Sequence, residues 1–472
     1  MLFQKTINYR ILDINKGWVN GDSRKGRKSM LERAIIIGGS IAGKLAAKAL
    51  STSFREVIIL ETGPRWDEKT PRKRVPQTYH PHVLLKGGEE AIEELFPRFL
   101  DELIADGGII TNFTRDLKWH HFGAWKQRFT GELVMVQQSR PMLEWHLQQR
   151  INNIANIETK YGMRVDRLLA NSRYNQVIGV NVRSLQTNEE ENMTADLVVD
   201  ASGFGSNVMN WLKPFRVNVV EEKVAIKLFY ATRYFRLHHH EELDWCNMLI
   251  SPSFPENPYG AFIQTVEGDR FSVTFSGYAN EQPPKTENAF QAYAKKLPTS
   301  EVTKFLAKAD PISKINIHKI PYQVRRRFDL VNLPAGLLVI GDAHCRFDPV
   351  FGQGISVAAM EALALQESLV ETRTFNRKFG REFHRAIAKV IATPWDMATT
   401  EVLRHPDIKG DRSVILPFKQ WYSRKVYELS AVDPEIYLRL VKVMNLMEPP
   451  THLFHPSVGN AILTSKKQSR KV

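Results

Sequence analysis

Two cysteines, Cys246 and Cys345, are all that 472 residues contain, and they stand far apart in the chain. That excludes a disulfide framework, a thiolate metal cage and a dithiol redox centre, so any redox chemistry must come from a bound cofactor. Convincing ligand clusters and nucleophile triads are also missing, and no metal is expected. No apolar run reaches the roughly 18 residues that a membrane-spanning helix needs. Met1 to Arg33 is basic and polar, without the apolar block of a secretory leader. This stretch is expected to be a disordered extension, with Met30 as an alternative start, and the protein is expected in the cytoplasm. Internal repeats and low-complexity tracts are absent.

Acidic residues are in the minority, 51 against 65 Lys and Arg, for a net charge of +14. Such a surplus favours anionic partners: phosphate-bearing ligands, nucleic acid or an anionic lipid surface. Part of it lies in Arg24, Lys25, Arg27 and Lys28 and in Lys466, Lys467, Arg470 and Lys471, which read as solvated ends. No stretch has the spacing of a nucleic-acid recognition module, so no nucleic acid partner is expected; weak association with an anionic membrane surface is a secondary expectation. The length suggests two or three domains, with interleaved segments.

The first informative stretch is Ala34-Ile35-Ile36-Ile37-Gly38-Gly39-Ser40-Ile41-Ala42-Gly43. An apolar β-branched run enters a glycine-rich turn and leaves as a helix with Leu45, Ala46, Ala49 and Leu50 at helical spacing; a second run, Val57 to Leu60, ends on Glu61. This is the pattern of a dinucleotide-binding βαβ unit. Gly38 permits a sharp turn, Gly43 lets the helix pack close to the sheet, and the helix N-terminus offers N–H groups to a pyrophosphate. Ser40 stands where a middle glycine is usual, but it is small and can donate a hydrogen bond.

Further along, a basic loop carries Arg72-Lys73-Arg74-Val75-Pro76-Gln77-Thr78-Tyr79-His80-Pro81-His82. One helix is expected through Ile92, Leu95 and Leu100, a strand over Leu133 to Val136, and a helix from Ser139-Arg140-Pro141 through Leu143, Leu147 and Ile151. Residues 162–183 read as a hairpin containing Val165, and residues 195–203 as a strand ending in Asp200-Ala201-Ser202-Gly203. Segments near 223–236 and 261–277 suggest a separate sheet, followed by one helix over Asn288 to Ala309. The second landmark is the strand Gly336 to Ile340 running into Gly341-Asp342-Ala343, then Pro349-Val350-Phe351-Gly352-Gln353-Gly354 and an alanine-rich helix. Asp342 at a strand end can accept hydrogen bonds from a polyol, although a turn or capping role serves equally well; Gly352 and Gly354 open another helix N-terminus.

Taken together with Ser139-Arg140, Pro76-Gln77 and Asp200-Ala201-Ser202-Gly203, these landmarks resemble the FAD-dependent monooxygenases of the aromatic-hydroxylase (p-hydroxybenzoate hydroxylase-like) superfamily, in particular its bacterial hydroxylase and epoxidase branch. The resemblance runs from about Ala34 to Pro456. It implies an α/β fold in which a Rossmann-like FAD-binding domain (34–215 and 330–375) is interleaved with a β-sheet substrate domain (216–329, with part of 75–135). A helical C-terminal region (376–456) and a basic tail (457–472) complete the chain, with residues 1–33 as the extension.

The resemblance also implies site roles. Gly38, Gly39, Ser40, Ile41, Ala42 and Gly43 would hold the FAD pyrophosphate and Glu61 the adenosine ribose. Arg140 would meet the phosphate or ribityl region, Asp342 the ribityl chain, and backbone near Val165 the adenine. Gly352, Gln353 and Gly354 would lie beside the flavin ring and Pro349 against its face, with His82 also near it. Implied partners are a small apolar aromatic or alkene substrate, O2, and NAD(P)H as electron donor, although no second glycine-rich βαβ unit is present for the latter. Oxygen would pass from a flavin C4a-hydroperoxide, giving hydroxylation or epoxidation.

Aromatic candidates for the substrate pocket are Trp119, Phe122, Trp125, Tyr230, Tyr234 and Phe235, residues that equally suit a core. His80 and His82 suit either flavin contact or turn packing, and His238-His239-His240 reads as a surface loop. Three alternatives share the dinucleotide turn: a flavin-dependent halogenase, for which Lys86 is the nearby lysine although a Trp-x-Trp-x-Ile-Pro segment is absent; a prenyl double-bond reductase; and a flavoprotein that binds nucleic acid.

Overall fold

The computed structural model describes residues 30–72, 75–239, 241–370 and 374–468. Its organising element is the apolar run Leu31–Ile37 (β1), which turns into the helix Ile41–Ser51 (α1) and returns as Phe54–Glu61 (β2). β1 sits in the middle of a five-stranded sheet ordered Leu337–Val339, Leu197–Asp200, β1, β2, Ile157–Tyr161, with every neighbouring pair parallel. Strands covered on both faces need continuous apolar sequence, and Ala34 to Ile37, Val57 to Leu60 and Leu197 to Val199 supply it. One face carries α1 and the helices Arg140–Asn152, Gly354–Ser368 and Arg377–Val402. The other packs on an antiparallel three-stranded sheet, Met163–Ala170, Val177–Ser184 and Glu190–Thr194.

A second, eight-stranded sheet is built around Leu228–Leu237, Tyr259–Val266 and Arg270–Gly277. It also recruits Leu117–His121, which pairs in parallel with Asn247–Ile250. Side chains alternate along these strands. Phe229, Ala231, Met248, Ile263, Val273 and Phe275 pack on the helices Glu287–Ala294 and Glu301–Leu306, while Tyr230, Leu249, Phe262 and Thr274 face a cavity toward the first sheet. The helices Leu416–Leu429, Pro434–Met444 and Pro456–Gln468 close the cavity's far side through Val426, Tyr427, Tyr437 and Val458, packed on Trp119 and Leu133. Among the described residues no helix is long and apolar enough to cross a membrane.

Four local expectations change. β1 begins at Leu31, inside the stretch expected as an extension, because Leu31 and Arg33 pair with Phe54 and Glu56 and the Arg33 and Glu56 side chains form an ion pair. The helix expected through Ile92 and Leu100 is two, Lys86–Leu95 and Phe99–Ala105; Pro97 interrupts it and Arg98 turns the chain with φ +66°. Pro298 likewise lies between the two helices found where one was expected over 288–309, and Ala309–Pro311 is a strand. The polar strand Glu190–Thr194 carries no apolar alternation and was not foreseen. Expectations for residues 1–29, Lys73, Arg74, His240, Arg470 and Lys471 fall outside the described residues.

Candidate functional site

The turn after β1 is built so that only small residues fit. Gly38 has φ +102°, and a Cβ there would lie 2.6 Å from the Ala201 carbonyl oxygen; a Cβ on Gly43 would lie 1.9 Å from that of Gly38. The Gly39 N–H donates to Glu61 Oε2 (2.9 Å) and the Gly63 N–H to Oε1 (2.6 Å), which locks the carboxylate beside the turn. Ser40 is extended and its Oγ makes only 3.5 Å contacts, with Glu144 and Arg140. The first N–H groups of α1, from Ile41 to Gly43, therefore point outward with the positive end of the helix dipole.

The late landmark folds onto this turn. Gly341 has φ +61°, and a Cβ on it would come 2.9 Å from the Cβ of Ala42 in α1. The Gly341 N–H donates to Glu361 Oε2 at 2.7 Å. Glu361 is fully buried, and burial pushes its carboxyl up to about 8, so it holds its proton at neutral pH. Asp342 follows, half-buried and without a hydrogen-bond partner among the described residues; burial raises its carboxyl, opposed by the charges of Arg346 and Arg140. A Cβ on Gly354, where the next helix opens, would lie 3.8 Å from Asp342 Oδ1. Between them Asp348 caps the turn Pro349–Phe351 by accepting from the Val350 N–H (3.0 Å) and the Tyr278 hydroxyl (2.9 Å). Burial pushes Asp348 up to about 6. Gly352 (φ +66°) faces Val83, and the buried Gln353 keeps an unpartnered Oε1.

Arg140 touches the first landmark at Ser40 (3.5 Å), and its charge acts on Asp342 of the second. It starts a helix capped by the Ser139 hydroxyl, and its Nη1 lies 2.8 Å from His82 Nε2. His82 Nδ1 is 2.9 Å from the His80 carbonyl oxygen. Burial, helped by the Arg140 charge, holds this imidazole well below its usual range. It is therefore neutral, with Nδ1–H donating to the carbonyl and Nε2 accepting from the guanidinium. One turn along the helix, Glu144 is completely buried, with Arg72 at 2.7 Å, Arg140 at 3.6 Å and Lys44 at 3.7 Å; Arg72 also reaches Glu61 at 3.3 Å. Burial would raise Glu144, but Lys44, Arg140 and Arg72 outweigh it and hold the carboxyl at about 2. Burial lowers Lys44 to about 8 against the pull of Glu144. Three cations thus face two carboxylates beneath the turn, leaving positive potential where an anion would sit.

Val165 lies in a strand with a register shift just after it, its side chain buried in the core cluster that also holds Ile37 and Leu60. The cavity opens next to Pro349 and Gly352 and is mostly apolar, walled by Val83, Leu249, Phe262 and Trp119, with a minority of polar side chains that include Asn247 and Gln264. No lysine or arginine is among the described residues lining it. Lys86 is instead paired with Glu89 at 3.1 Å and does not line the cavity.

Of the aromatic candidates, Trp119 and Tyr230 line the cavity. Phe235 does not, because strand alternation sends it into the core with Phe290 and Phe305. Phe122 lies between the guanidiniums of Arg404 and Arg424, Trp125 against His120 and Lys118, and Tyr234 beside Arg270. His80 is buried against Thr232 Oγ1 (2.7 Å) and held at about 3 by burial. His238 pairs with Asp310 at 3.3 Å, near the surface. Lys44, Glu144 and Glu361 were missed, and with them the capping role of Asp348, which is part of the late motif. The i, i+4 spacing of Arg140 and Glu144 on one helix and the Asp-Pro of a capped turn were the available signals.

No protein-family profile matches the chain. Protein Rv3254 of Mycobacterium tuberculosis (strain ATCC 25618 / H37Rv) is 29% identical over 407 residues, covering 83% of each chain. Among solved structures, the p-nitrophenol 4-monooxygenase PnpA of Pseudomonas putida DLL-E4 superposes with a TM-score of 0.64 at 13% identity, over 89% of this chain and 99% of that one. The flavin-dependent brominase Bmp2 gives 0.63 at 13%, over 93% and 99%. PqsL of Pseudomonas aeruginosa, described as a probable FAD-dependent monooxygenase, gives 0.57 at 17%, over 79% and 94%. With its central β1–α1–β2 turn, second sheet and helical C-terminal region, the chain has the aromatic-hydroxylase-like fold shared by these flavin-dependent monooxygenases and halogenases.

Proposed function

We propose that the protein is an FAD-dependent monooxygenase that inserts one atom of O2 into an apolar aromatic or alkene substrate, with NAD(P)H as electron donor. The observation that carries this reading is the convergence of two distant stretches, Gly38 to Gly43 and Gly341 to Gly354, on one cradle, with Gly341 against Ala42 and an apolar cavity alongside. The residues present suit the cofactor. Gly38, Gly39, Ser40, Ile41, Ala42 and Gly43 would seat the pyrophosphate at the α1 N-terminus above Lys44, Arg72 and Arg140. Glu61, held beside the turn by the Gly39 and Gly63 N–H groups, would meet the ribose hydroxyls in place of its longer contacts with Arg72 (3.3 Å) and Thr62 (3.4 Å). The partnerless carboxylate of Asp342 would take the ribityl hydroxyls, backbone near Val165 the adenine, and Pro349 with Gly352, Gln353 and Gly354 the ring.

FAD, when bound, supplies the activation of O2. The chain supplies position, charge and dryness. The N-terminus of the helix at Gly354 places positive potential beside the ring site. His82, neutral and fixed between Arg140 and the His80 carbonyl, holds the guanidinium in place without adding charge. The apolar walls keep water from the reacting atoms.

The decisive experiment is a substrate screen for stimulated NAD(P)H oxidation by the FAD-loaded protein, with mass spectrometry of the products. Gain of one oxygen supports the reading; double-bond reduction without oxygen gain refutes it. The halogenase alternative requires a lysine between flavin and substrate, and the lysine-free lining of the described cavity favours oxygenation. Halide-dependent product formation would reverse that choice.

A further inference from the structure

Two amide side chains of residues lining the cavity are fixed by their neighbours so that each keeps a carbonyl oxygen to which no described group donates. Gln137 donates from Nε2 to the Thr265 main-chain carbonyl, which can only accept. Its Oε1 therefore faces Asn247, whose Nδ2 donates to it at 2.5 Å. That leaves Asn247 Oδ1 buried, without a partner among the described residues, at a residue lining the cavity. Gln264 is 1% exposed and donates from Nε2 to the His82 main-chain carbonyl at 3.3 Å. Its Oε1 is left in the same condition. Flipping either amide would set oxygen against oxygen, so both orientations follow from main-chain acceptors.

Asn247 and Gln264 are direct cross-strand partners in an antiparallel pair, which puts their Cβ atoms about 5 Å apart on one face of the sheet. A buried acceptor without a donor costs about 1–3 kcal/mol, a cost that a ligand bringing an O–H or N–H removes. Two of the hydroxyls nearby are already engaged: Tyr278 donates to Asp348, and Thr274 bonds Thr232. The only carboxylates lining the described cavity, Asp116 and Glu401, have their cations, Arg115 and Arg404, at 2.7 Å. With no cationic side chain in that lining, a ligand carboxylate or phosphate would meet two carbonyl dipoles and no counter-charge.

We propose that Asn247 and Gln264 form a donor-reading subsite that selects uncharged apolar ligands carrying a hydroxyl or amino group and rejects carboxylates. This rests on reading the cavity as the substrate site, but its test needs no turnover, so the two can fail separately. Calorimetric titration of the FAD-loaded protein with 1-naphthol, 1-methoxynaphthalene and 1-naphthoate compares a donor, its capped counterpart and an anion on one ring system. The expected order is 1-naphthol at least tenfold tighter than the ether, with 1-naphthoate weakest.

Asn247→Leu and Gln264→Leu should each reduce the naphthol-to-ether ratio severalfold by weakening naphthol alone, with near-UV circular dichroism reporting intact folding. Where a variant does not fold, the wild-type panel decides by itself. An ether that binds as tightly as the naphthol, naphthoate as the tightest ligand, or no binding by any of the three would overturn the subsite.

Discussion

Gly341 rests on Ala42: the backbone at the end of the late strand approaches α1 so closely that a Cβ would meet the Ala42 Cβ at 2.9 Å. This contact joins the two halves of the cradle, and it depends on a left-handed backbone (φ +61°) that β-branched residues adopt only at a cost of about 1–3 kcal/mol. Gly341→Val should therefore push the Asp342 loop away from the turn. FAD affinity, measured by fluorescence on titration of the apoprotein, should fall at least tenfold. Unchanged affinity would mean that the contact does not shape the cofactor site.

Asp342 offers a carboxylate with no partner of its own among the described residues. Asp342→Ala should leave thermal stability of the apoprotein unchanged or slightly higher, because a partly desolvated carboxylate without a described partner is removed, while lowering FAD retention through a desalting column by about tenfold or more. Asp342→Asn, which keeps an acceptor, should lie between. Full retention in the alanine variant would remove Asp342 from the site.

Glu144 holds together three cations in a space closed to water. Removing its charge leaves Lys44, Arg72 and Arg140 facing one another with Glu61 alone to balance them. Glu144→Gln should destabilise the apoprotein by about 3–5 kcal/mol in urea unfolding, with the loss shrinking as pH falls from about 4 toward 2, because the unfolded wild-type chain takes up a proton at Glu144 that the folded protein, held at about 2, still refuses. A variant as stable as the wild type at pH 7 would show that the cluster is not a structural anchor.

Glu361 gives a pH dependence of opposite sign. Its folded-state carboxyl is pushed up to about 8 from an ordinary value near 4.3, so the folded protein holds a proton that the unfolded chain releases. The associated stability is complete below about pH 4 and lost as pH rises toward 8, at up to about 1.4 kcal/mol per pH unit. Glu361→Gln keeps an acceptor for the Gly341 N–H and does not titrate. Wild type minus variant should therefore decline between pH 5 and 8 in melting curves; a flat difference would mean that Glu361 is ionised in the fold.

What could be read in advance was what local chemistry dictates. The β1 turn was legible because strand, glycines and helix follow one another within a single βαβ unit, and Asp342 because a carboxylate at the end of an apolar strand stands out. The buried cluster was not, since Lys44, Arg72 and Glu144 come from separate segments and each alone looks like a surface residue. Phe235 and Tyr230 had equal claims to the pocket on composition; only strand pairing tells which face each takes. Pro97 and Pro298 were visible as breaks, yet apolar spacing on either side of them suggested continuous helices.

The alternation along the second sheet makes ligand choice a matter of pairing register. Sliding Asn247–Ile250 or Tyr259–Val266 by one residue would bring Met248 or Ile263 to the cavity floor and drive Asn247 or Gln264 among the rings of Phe275 and Phe290. The aromatic packing that penalises such a slip on one side therefore guards molecular discrimination on the other, and a mutation deep among those phenylalanines, far from any bound molecule, can alter which molecules are accepted.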